Sequence, residues 1–459
     1  MPQPQIGDRI TICNYTFTWT KAHLSKDELE PFRQKYDQLG AAALERIQTI
    51  RQETNTKSTD LYEILYDNHA NDPILSQFWT EVHSVPSWVN WAQIARGQQF
   101  FYRYALANIV GFALQGFMAE NSAAPGVVEV LVRTGGFSTR MLLGRLLETF
   151  QWLIQVTHCI KAIQPGGQGH TATVRVRLLH ASVRNRLLQL CQRRPEYFDT
   201  ETYGIPVNTL DSIHSISTFC CNPMWLQLPK FGSIPVTPGE VDDYIAVFRY
   251  LAFVLGTPTS YFETSEKAKC VMESMLVHEV RTTETSRVVA YNFVECVTNL
   301  PGVFRVSSGF VAAGSRWING DGLCDELRLE RPGLVYYLAF RGFCVLVTCL
   351  ARVQRVIPAF DAVVVDLFRT QLYNGIVQRK SRTKFDFKYV PKIGSKTGKE
   401  AYGTSSTAGV SGLVGMGLAE MVFIGVLAGG GLMVGGSLTQ DRQLPEESKG
   451  EGEGISYKL

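Results

Sequence analysis

The pattern of apolar and polar positions predicts helices over most of the chain. Apolar and aromatic side chains recur at helical spacing through residues 87–117, 139–162 and 172–192. Two more helices are predicted from "IPVNTLDSIHSISTF" and "TPGEVDDYIAVFRYLAFVLG", and the second of these opens with a Thr-Pro-Gly-Glu capping signal. Alternating strand patterns are scarce apart from a short strand-like start. The predicted fold class is therefore mainly α.

Changes in this pattern divide the chain into segments. Residues 1–60 read as an N-terminal extension, and residues 61–378 as the main helical domain. Residues 379–408 form a basic linker, residues 409–436 are apolar and rich in glycine, and residues 437–459 form an acidic tail that we predict to be disordered.

The apolar segment from Ala408 to Gly436 is long enough to span a bilayer and carries one charge, Glu420. Basic residues precede it and acidic residues follow it, which would place the preceding side in the cytosol. The alternative is a disordered, glycine-rich tail, because ten glycines weaken the segment as a helix. A second apolar run, "GLVYYLAFRGFCVLVTCLARV", is interrupted by Arg341 and is predicted to be a buried core helix.

Composition narrows the class of protein. Hydrophobic residues make up 45% of the 459 residues and charged residues 19%, as in a globular protein with a sizeable core. The net charge of +3 is too small to predict a nucleic-acid partner. The ten cysteines include no CxxC pair, so we interpret them as buried free thiols in a reducing compartment.

The common catalytic signatures are missing from the sequence. No GxSxG and no HExxH occurs, and "HEVRTTE" lacks the second histidine of a zinc motif. The stretch "GSKTGKE" is one residue short of a phosphate-binding loop and follows no predicted strand.

One predicted helix carries an unusual cationic stripe. In "RVRLLHASVRNRLL", His180 lies between Arg177 and Arg184 on one face, because positions i−3 and i+4 of a helix are neighbours. Neutral imidazole is the usual protein ligand of haem iron, and guanidinium groups suit carboxylates such as haem propionates. The alternative reading is a surface or salt-bridged histidine.

The preceding helix offers a matching polar face. In "GRLLETFQWL", residues Arg145, Glu148, Thr149 and Trp152 occupy positions i, i+3, i+4 and i+7. Consecutive helices joined by a short glycine-rich turn usually pack antiparallel. We therefore expect this face to look across a gap at His180.

These elements resemble a known family. The "GH" at residues 169–170, the following "VRLLHASVR" and the earlier "RLLET" are similar to the latex-clearing protein (rubber oxygenase) family and its fungal mpaB-like relatives. The resemblance implies a globin-like helical core that holds a b-type haem and cleaves isoprenoid double bonds with O2. It also implies a membrane-bound oxygenase of secondary metabolism, because the fungal members are of that type.

The resemblance assigns roles on the His180 helix. His180 would be the proximal ligand of the haem iron and hence the metal-binding residue. Arg177 and Arg184 would be companion arginines of the cofactor site.

The resemblance also assigns roles on the opposite side. Arg145 and Thr149 match the arginine and threonine of the family's distal motif. Glu148 stands where the bacterial rubber enzymes have a lysine that caps the iron, and this departure puts the distal ligand and polyisoprene as substrate in doubt. Glu129 lies at about the position of the family's proposed catalytic base. Glu129 or Glu148 would then remove an allylic proton.

The leading hypothesis is thus a haem b-dependent oxygenase that oxidises or cleaves an apolar isoprenoid-type substrate. It would be associated with a membrane, at the endoplasmic reticulum, and otherwise cytoplasmic. The alternative is a non-catalytic, membrane-associated helical protein. In that reading the Arg/His face binds lipid phosphates and the basic segment acts as an electrostatic anchor.

Overall fold

The computed structural model describes residues 3–54, 60–135, 139–298 and 306–378. These residues confirm the mainly α fold. Strands β1 (Arg9–Ile12) and β2 (Tyr15–Thr18) form one antiparallel hairpin, at the predicted strand-like start. The basic linker, the apolar segment and the acidic tail, residues 379–459, lie outside the described residues.

The α-helices of the described residues follow one another with short connections. The first ten are α1 (Lys26–Leu29), α2 (Gln38–Glu53), α3 (Leu61–Asn68), α4 (Pro73–His83), α5 (Trp91–Arg103), α6 (Ala105–Gly111), α7 (Pro125–Arg133), α8 (Thr139–Thr157), α9 (Ile160–Ile163) and α10 (Gln168–Arg193). The others are α11 (Thr200–Tyr203), α12 (Thr209–Cys220), α13 (Pro238–Val254), α14 (Ser265–His278), α15 (Glu284–Thr298), α16 (Ser308–Asn319), α17 (Asp321–Glu326), α18 (Leu334–Val356) and α19 (Pro358–Leu372). Wider π-helical turns cover Phe112–Asn121, Pro223–Gln227 and Tyr373–Val377, and 3₁₀ turns cover Glu30–Gln34, Pro195–Tyr197, Leu228–Phe231 and Thr259–Phe262.

Local side-chain chemistry explains where several helices begin. The predicted capping signal of α13 is a complete capping box, in which the Thr237 hydroxyl accepts from the Glu240 N–H and the Glu240 carboxylate accepts from the Thr237 N–H. Asn208 and Asp211 form the same reciprocal pair at the start of α12.

Two predicted helices are in fact interrupted. The helix expected over residues 139–162 ends at Thr157, because Cys159 adopts an extended backbone with φ −161°. The periodic region 87–117 is divided between α5, α6 and the π-helical turn, whose wider winding departs from the 3.6-residue period.

Helices α8 and α10 form an antiparallel hairpin. A Cβ on Gly169 would lie 2.7 Å from the carbonyl oxygen of Gln155, so only glycine allows the helices to approach so closely here. One step further from the turn, Trp152 Nε1 donates to Thr173 Oγ1 at 3.0 Å. Arg145 lies seven residues before Trp152 on α8, and His180 lies seven residues after Thr173 on α10. These two residues are therefore at the same level of the hairpin, about two helical turns from the bond.

The N-terminal residues belong to the main core. Ile10, Ile12, Phe17 and Trp19 are buried in the same cluster as the long helices. The hairpin is also bonded to α14, where the Tyr15 hydroxyl donates to the Glu273 carboxylate at 2.6 Å.

Among the described helices, only α18 is long and apolar enough to cross a membrane, judged by its length and composition. Its buried side packs on α16 and on residues 228–231. The most apolar window of this helix is 44% buried, so the expected core helix is buried on one side.

The apolar packing is interrupted near His180. Leu178, two residues towards the start of α10, is part of the large core cluster. Val183 and Leu187, towards the end of α10, belong to a separate cluster with Tyr197. The two apolar clusters therefore contact α10 on either side of His180 along the chain.

Candidate functional site

His180 faces a concave space inside the fold. Its side chain is exposed to water, yet the surrounding protein desolvates the ring and lowers its pKa to about 4, with a further contribution from the Arg184 charge and an opposing one from Asp37. A side chain that water reaches while protein encloses it lies in a pocket rather than on a convex surface. The imidazole is consequently neutral at pH 7, which is the form that ligates metals.

The pocket beside His180 is small and partly open, and its volume of about 10 Å³ has room for about one water molecule. It is lined by Asp37, Arg177, His180, Arg184, Val207, Thr209, Ser212, Leu255, Gly256, Thr257 and Pro258. The lining thus combines one imidazole, two guanidinium groups and the Asp37 carboxylate with apolar and hydroxyl side chains from α12 and from the segment that follows α13.

Arg184 is a buried cation with free hydrogen-bonding capacity. It is 4% exposed, its Nη2 donates to the Val207 carbonyl at 2.9 Å, and its guanidinium stacks over Tyr36. Its Nε and Nη1 groups have no hydrogen-bond partner among the described residues. Burial lowers the pKa of Arg184, although Asp37, Tyr36 and Asp211 oppose that effect. Both nitrogens are shielded from water, while the Arg184 side chain as a whole lines the pocket.

Arg177, by contrast, has a structural role. Its Nε and Nη2 donate to the two oxygens of Asp37 at 2.7 and 2.8 Å, and Nη2 also donates to Glu81 at 2.8 Å. Asp37 also caps α2 by accepting from the Gly40 N–H. The predicted single-sign stripe is therefore partly neutralised. The Arg/His face of α10 therefore carries less net positive charge than the spacing predicted.

On the polar face of α8, the side chains of Arg145, Glu148 and Thr149 are partly accessible to solvent. Arg145 Nη2 donates to Thr134 Oγ1 at 2.8 Å, and Thr149 Oγ1 donates to the Arg145 carbonyl at 2.9 Å. Burial lowers the pKa of Arg145, and the nearby Glu148 charge opposes the shift. Glu148 is thus close enough to Arg145 to interact with it across one helical turn.

Glu129 is a buried and well-bonded carboxylate. It is 8% exposed and accepts hydrogen bonds from Arg133 Nε and Nη2 at 3.2 and 3.1 Å. Its other oxygen accepts from the Thr285 hydroxyl at 2.7 Å. These contacts tie α7 to α15, so Glu129 has a structural role whatever else it does.

Three other histidines, His158, His170 and His214, have different surroundings. His170 Nε2 lies 2.7 Å from the Val82 carbonyl, and its Nδ1 accepts from the Gly166 N–H at 3.2 Å. His158 stacks on Tyr373. His214 is buried with its Nε2 2.7 Å from a Glu120 oxygen.

A buried polar network that no sequence motif predicted lies along α12. Glu120 contacts His214 and also accepts from Gln115 Nε2 at 2.6 Å and from Thr218 Oγ1 at 3.2 Å. Asp211, one turn before His214, is desolvated so that its pKa rises to about 7. The capping signal at Asp211 was visible in the sequence, whereas the contacts of Glu120 with His214 and Thr218 join residues 94 and 98 positions apart.

One other group of ligand-type side chains lies close together in the described part of the chain, His23, Cys270 and Glu273. His23 Nδ1 accepts from the Thr20 N–H at 2.9 Å, so Nε2 carries the proton and donates to Glu273 at 2.8 Å. This hydrogen-bond pattern makes the group a structural contact between the N-terminal segment and α14.

The residue types around His180 are those that a haem needs, although the space beside the ring has room for about one water molecule. A neutral imidazole lies in a concave space, and a buried arginine with two unbonded donors lines the same pocket. An imidazole ligand, cations for carboxylate groups and apolar walls are the features that such a group needs.

Comparison with known families agrees with this geometry. The model of the catalytic domain shared by the ER-bound oxygenases mpaB/B' and the rubber oxygenases matches residues 102–349. The chain belongs to this family. As a member of the mpaB/rubber oxygenase family it is related to oxygenases, and the predicted resemblance is confirmed. The matched range contains Glu129, Arg145 and His180, whereas Asp37 and Glu81 lie before it.

The solved structure of latex clearing protein LCP in the closed state is similar to this chain, with a TM-score of 0.58. The identity is 17%, and the likeness covers 74% of this chain and 91% of that one. At this identity the comparison shows a shared fold. No curated protein matches the sequence.

Proposed function

We propose that this mpaB/rubber oxygenase family member is a haem b-dependent oxygenase that acts on an apolar, isoprenoid-type small molecule with O2. The observation that carries the proposal is the neutral His180 imidazole in an enclosed pocket of an oxygenase-family domain. A bound haem would supply the iron at which O2 is activated.

Two residues of α10 would hold the cofactor. His180 would ligate the iron through its neutral ring, and Arg184 would donate from Nε and Nη1 to a carboxylate of the cofactor. Arg177, held by Asp37 and Glu81, would keep α10 in place.

The polar face of α8 would act on the substrate side. Arg145 and Thr149 would orient the reacting groups, and Glu148, partly accessible on this face, would accept the allylic proton. Glu129 is the alternative base, although three donors already occupy its carboxylate.

Aromatic side chains next to this face favour an apolar substrate. Phe219 lies 5.4 Å from Trp152 and 6.3 Å from Phe117, and Phe117 lies 6.0 Å from Phe150, between ring centroids. Phe117 and Phe219 are partly accessible. Such rings offer the apolar contact area that a prenyl chain needs.

Membrane association is the second part of the proposal. Residues 409–436 would anchor the chain, with the preceding basic segment on the cytosolic side of the endoplasmic reticulum. Full-length protein should then resist carbonate extraction from microsomes, whereas a chain ending near Ser405 should be released. Equal extraction of both chains would contradict the anchor.

The haem assignment is tested by spectroscopy. Full-length protein reconstituted with haem should show a Soret band and about one haem per chain, and His180→Ala should lose both. His158→Ala, which removes a ring stacked on Tyr373, is the matched control and should retain both. Full haem occupancy with an unchanged spectrum in His180→Ala would exclude His180 as the ligand.

A further inference from the structure

One side of α18 is exposed along the whole helix and is apolar apart from two arginines. The side chains that share this side are Leu334, Leu338, Arg341, Val345, Cys349, Arg352, Val353 and Val356. The other side is also apolar, and there Tyr336, Phe340, Phe343 and Val347 are buried. A helix that is apolar all round normally has partners all round. Helix α18 has protein on one side of it within the described residues.

The exposed apolar side continues onto α19. Ile357 is 48% exposed, Phe360 38%, Val363 65% and Leu367 52%. The last three follow each other at positions i, i+3 and i+7, so they share one side of α19. We call these four residues, together with the eight exposed or partly exposed residues of α18, the outer face.

Packing prevents α18 from leaving the domain to span a bilayer. Phe343 contacts Phe231 and Phe340 contacts Phe310 through their rings. Thr348 Oγ1 also donates to the Phe231 carbonyl at 2.8 Å. The outer face can therefore meet a membrane only from the side, with the helix lying along the surface.

We propose that the outer face rests on the surface of an anionic lipid bilayer. This inference deepens the proposed membrane association and rests on it, while it is independent of the haem. The outer face would insert its apolar side chains among the lipid chains, as interfacial amphipathic helices do. Arg341 and Arg352 would reach the phosphate level from the same side of α18.

Charge favours lipid over a second copy of the chain as the occupant. The exposed side of α19 adds one carboxylate, Asp366, next to the two arginines of the outer face. A symmetric pairing of two outer faces would therefore place a net positive charge on both sides of the contact. The chain that follows α19 also contains eight Lys or Arg and one Asp between residues 379 and 399. Basic residues close to an anionic leaflet strengthen its attraction for the chain.

Photolabelling from the lipid phase tests the proposal on the full-length chain. Vesicles of phosphatidylcholine and phosphatidylserine would carry a trace of lipid with a diazirine on its acyl chain, and adducts would be mapped by mass spectrometry. We expect adducts on peptides covering residues 334–367 at least fivefold above those on peptides containing Ile6 or Tyr66. These two control residues are 74% and 59% exposed and lie outside α18 and α19.

Variants make the test specific. Val356→Ser/Phe360→Ser/Val363→Ser should lower the labelling of residues 334–367 at least fivefold without changing the melting temperature, because all three side chains are exposed. Ile6→Ser/Tyr66→Ser should leave that labelling unchanged. Adducts confined to residues 409–436 would overturn the outer-face proposal while supporting the anchor, and no adducts anywhere would overturn both. The protein could also be a dimer that the triple variant converts to a monomer, with no labelling of residues 334–367. This result would identify a second copy as the occupant and would overturn the proposal.

Discussion

Arg177 on α10 and Asp37 at the start of α2 form a two-pronged ion pair, with N–O distances of 2.7 and 2.8 Å. The arginine side chain is 2% exposed and the aspartate side chain 13%. Because Asp37 also caps α2, the pair couples the start of that helix to the middle of the helix that carries His180. The N-terminal residues thus help to position the candidate haem ligand.

Removal of this buried pair should destabilise the fold strongly. Arg177→Met leaves the Asp37 charge without its main partner, and such a change costs about 3–5 kcal/mol of the free energy of unfolding. Arg175, two residues earlier, provides a matched control, because its pair with Asp60 has side chains that are 46% and 29% exposed. Arg175→Met should cost less than about 1 kcal/mol. Equal losses in urea titrations of the two variants would contradict a special role for Arg177.

The fold class was predictable because apolar residues recur with a helical period over long stretches. The Thr237 signal also marked the start of α13 correctly, since a capping box is local in sequence. The break at Cys159 and the π-helical turn at residues 112–121 were not predictable from periodicity. Both change the backbone while the apolar pattern continues across them.

The candidate site was predictable only in part for a similar reason. The position of His180 between Arg177 and Arg184 follows from spacing along one helix. The partners that make the two arginines different lie far away, and Asp37 is 140 residues from Arg177. Only the folded structure shows that Arg177 is neutralised and that Arg184 retains unused donors.

Substitution of Arg184 should therefore affect haem binding more than folding, in contrast to substitution of Arg177. Arg184 makes one hydrogen bond to Val207 and a stacking contact with Tyr36, so Arg184→Leu should change the stability of the haem-free protein by no more than about 1 kcal/mol. Haem affinity should fall about 10- to 100-fold, because a charge-assisted hydrogen bond contributes about 1.5–3 kcal/mol. Haem titration and urea unfolding of the haem-free variant measure the two effects. Unchanged haem affinity would show that Arg184 does not hold the cofactor.

His170 should make the fold sensitive to acid. Burial lowers its pKa to about 4, against about 6.5 in an unfolded chain, so the folded state binds its proton less readily. Its contribution is fully present above pH 6.5 and declines as the pH falls from about 6.5 towards 4. Between pH 7 and pH 5 this one group should remove about 2 kcal/mol from the free energy of unfolding.

The variant His170→Gln, which cannot titrate, isolates this effect. Its unfolding free energy should fall by about 2 kcal/mol less than that of the wild type over the same pH interval. All other titrating groups are shared, so the difference between the two proteins belongs to His170. Parallel pH profiles in urea titrations would mean that His170 keeps its ordinary affinity for protons in the fold.

Glu148 and Glu129 are the two carboxylates that compete for the role of base, and their surroundings predict opposite outcomes of substitution. Glu148 is partly accessible on the face of α8 that lies level with His180, and Glu148→Gln keeps its shape while removing the base. We expect O2 consumption with a polyprenyl probe such as squalene or farnesol to fall at least 100-fold in this variant, with haem content and melting temperature unchanged.

Glu129→Gln instead weakens the bonds to Arg133 and Thr285, so it should cost about 1.5–3 kcal/mol of stability. Its activity per folded, haem-loaded molecule should remain within about tenfold of the wild type, because general-base catalysis is retained. Activity that persists in Glu148→Gln and disappears in a folded Glu129→Gln would assign the base to Glu129 and leave Glu148 as the partner of Arg145.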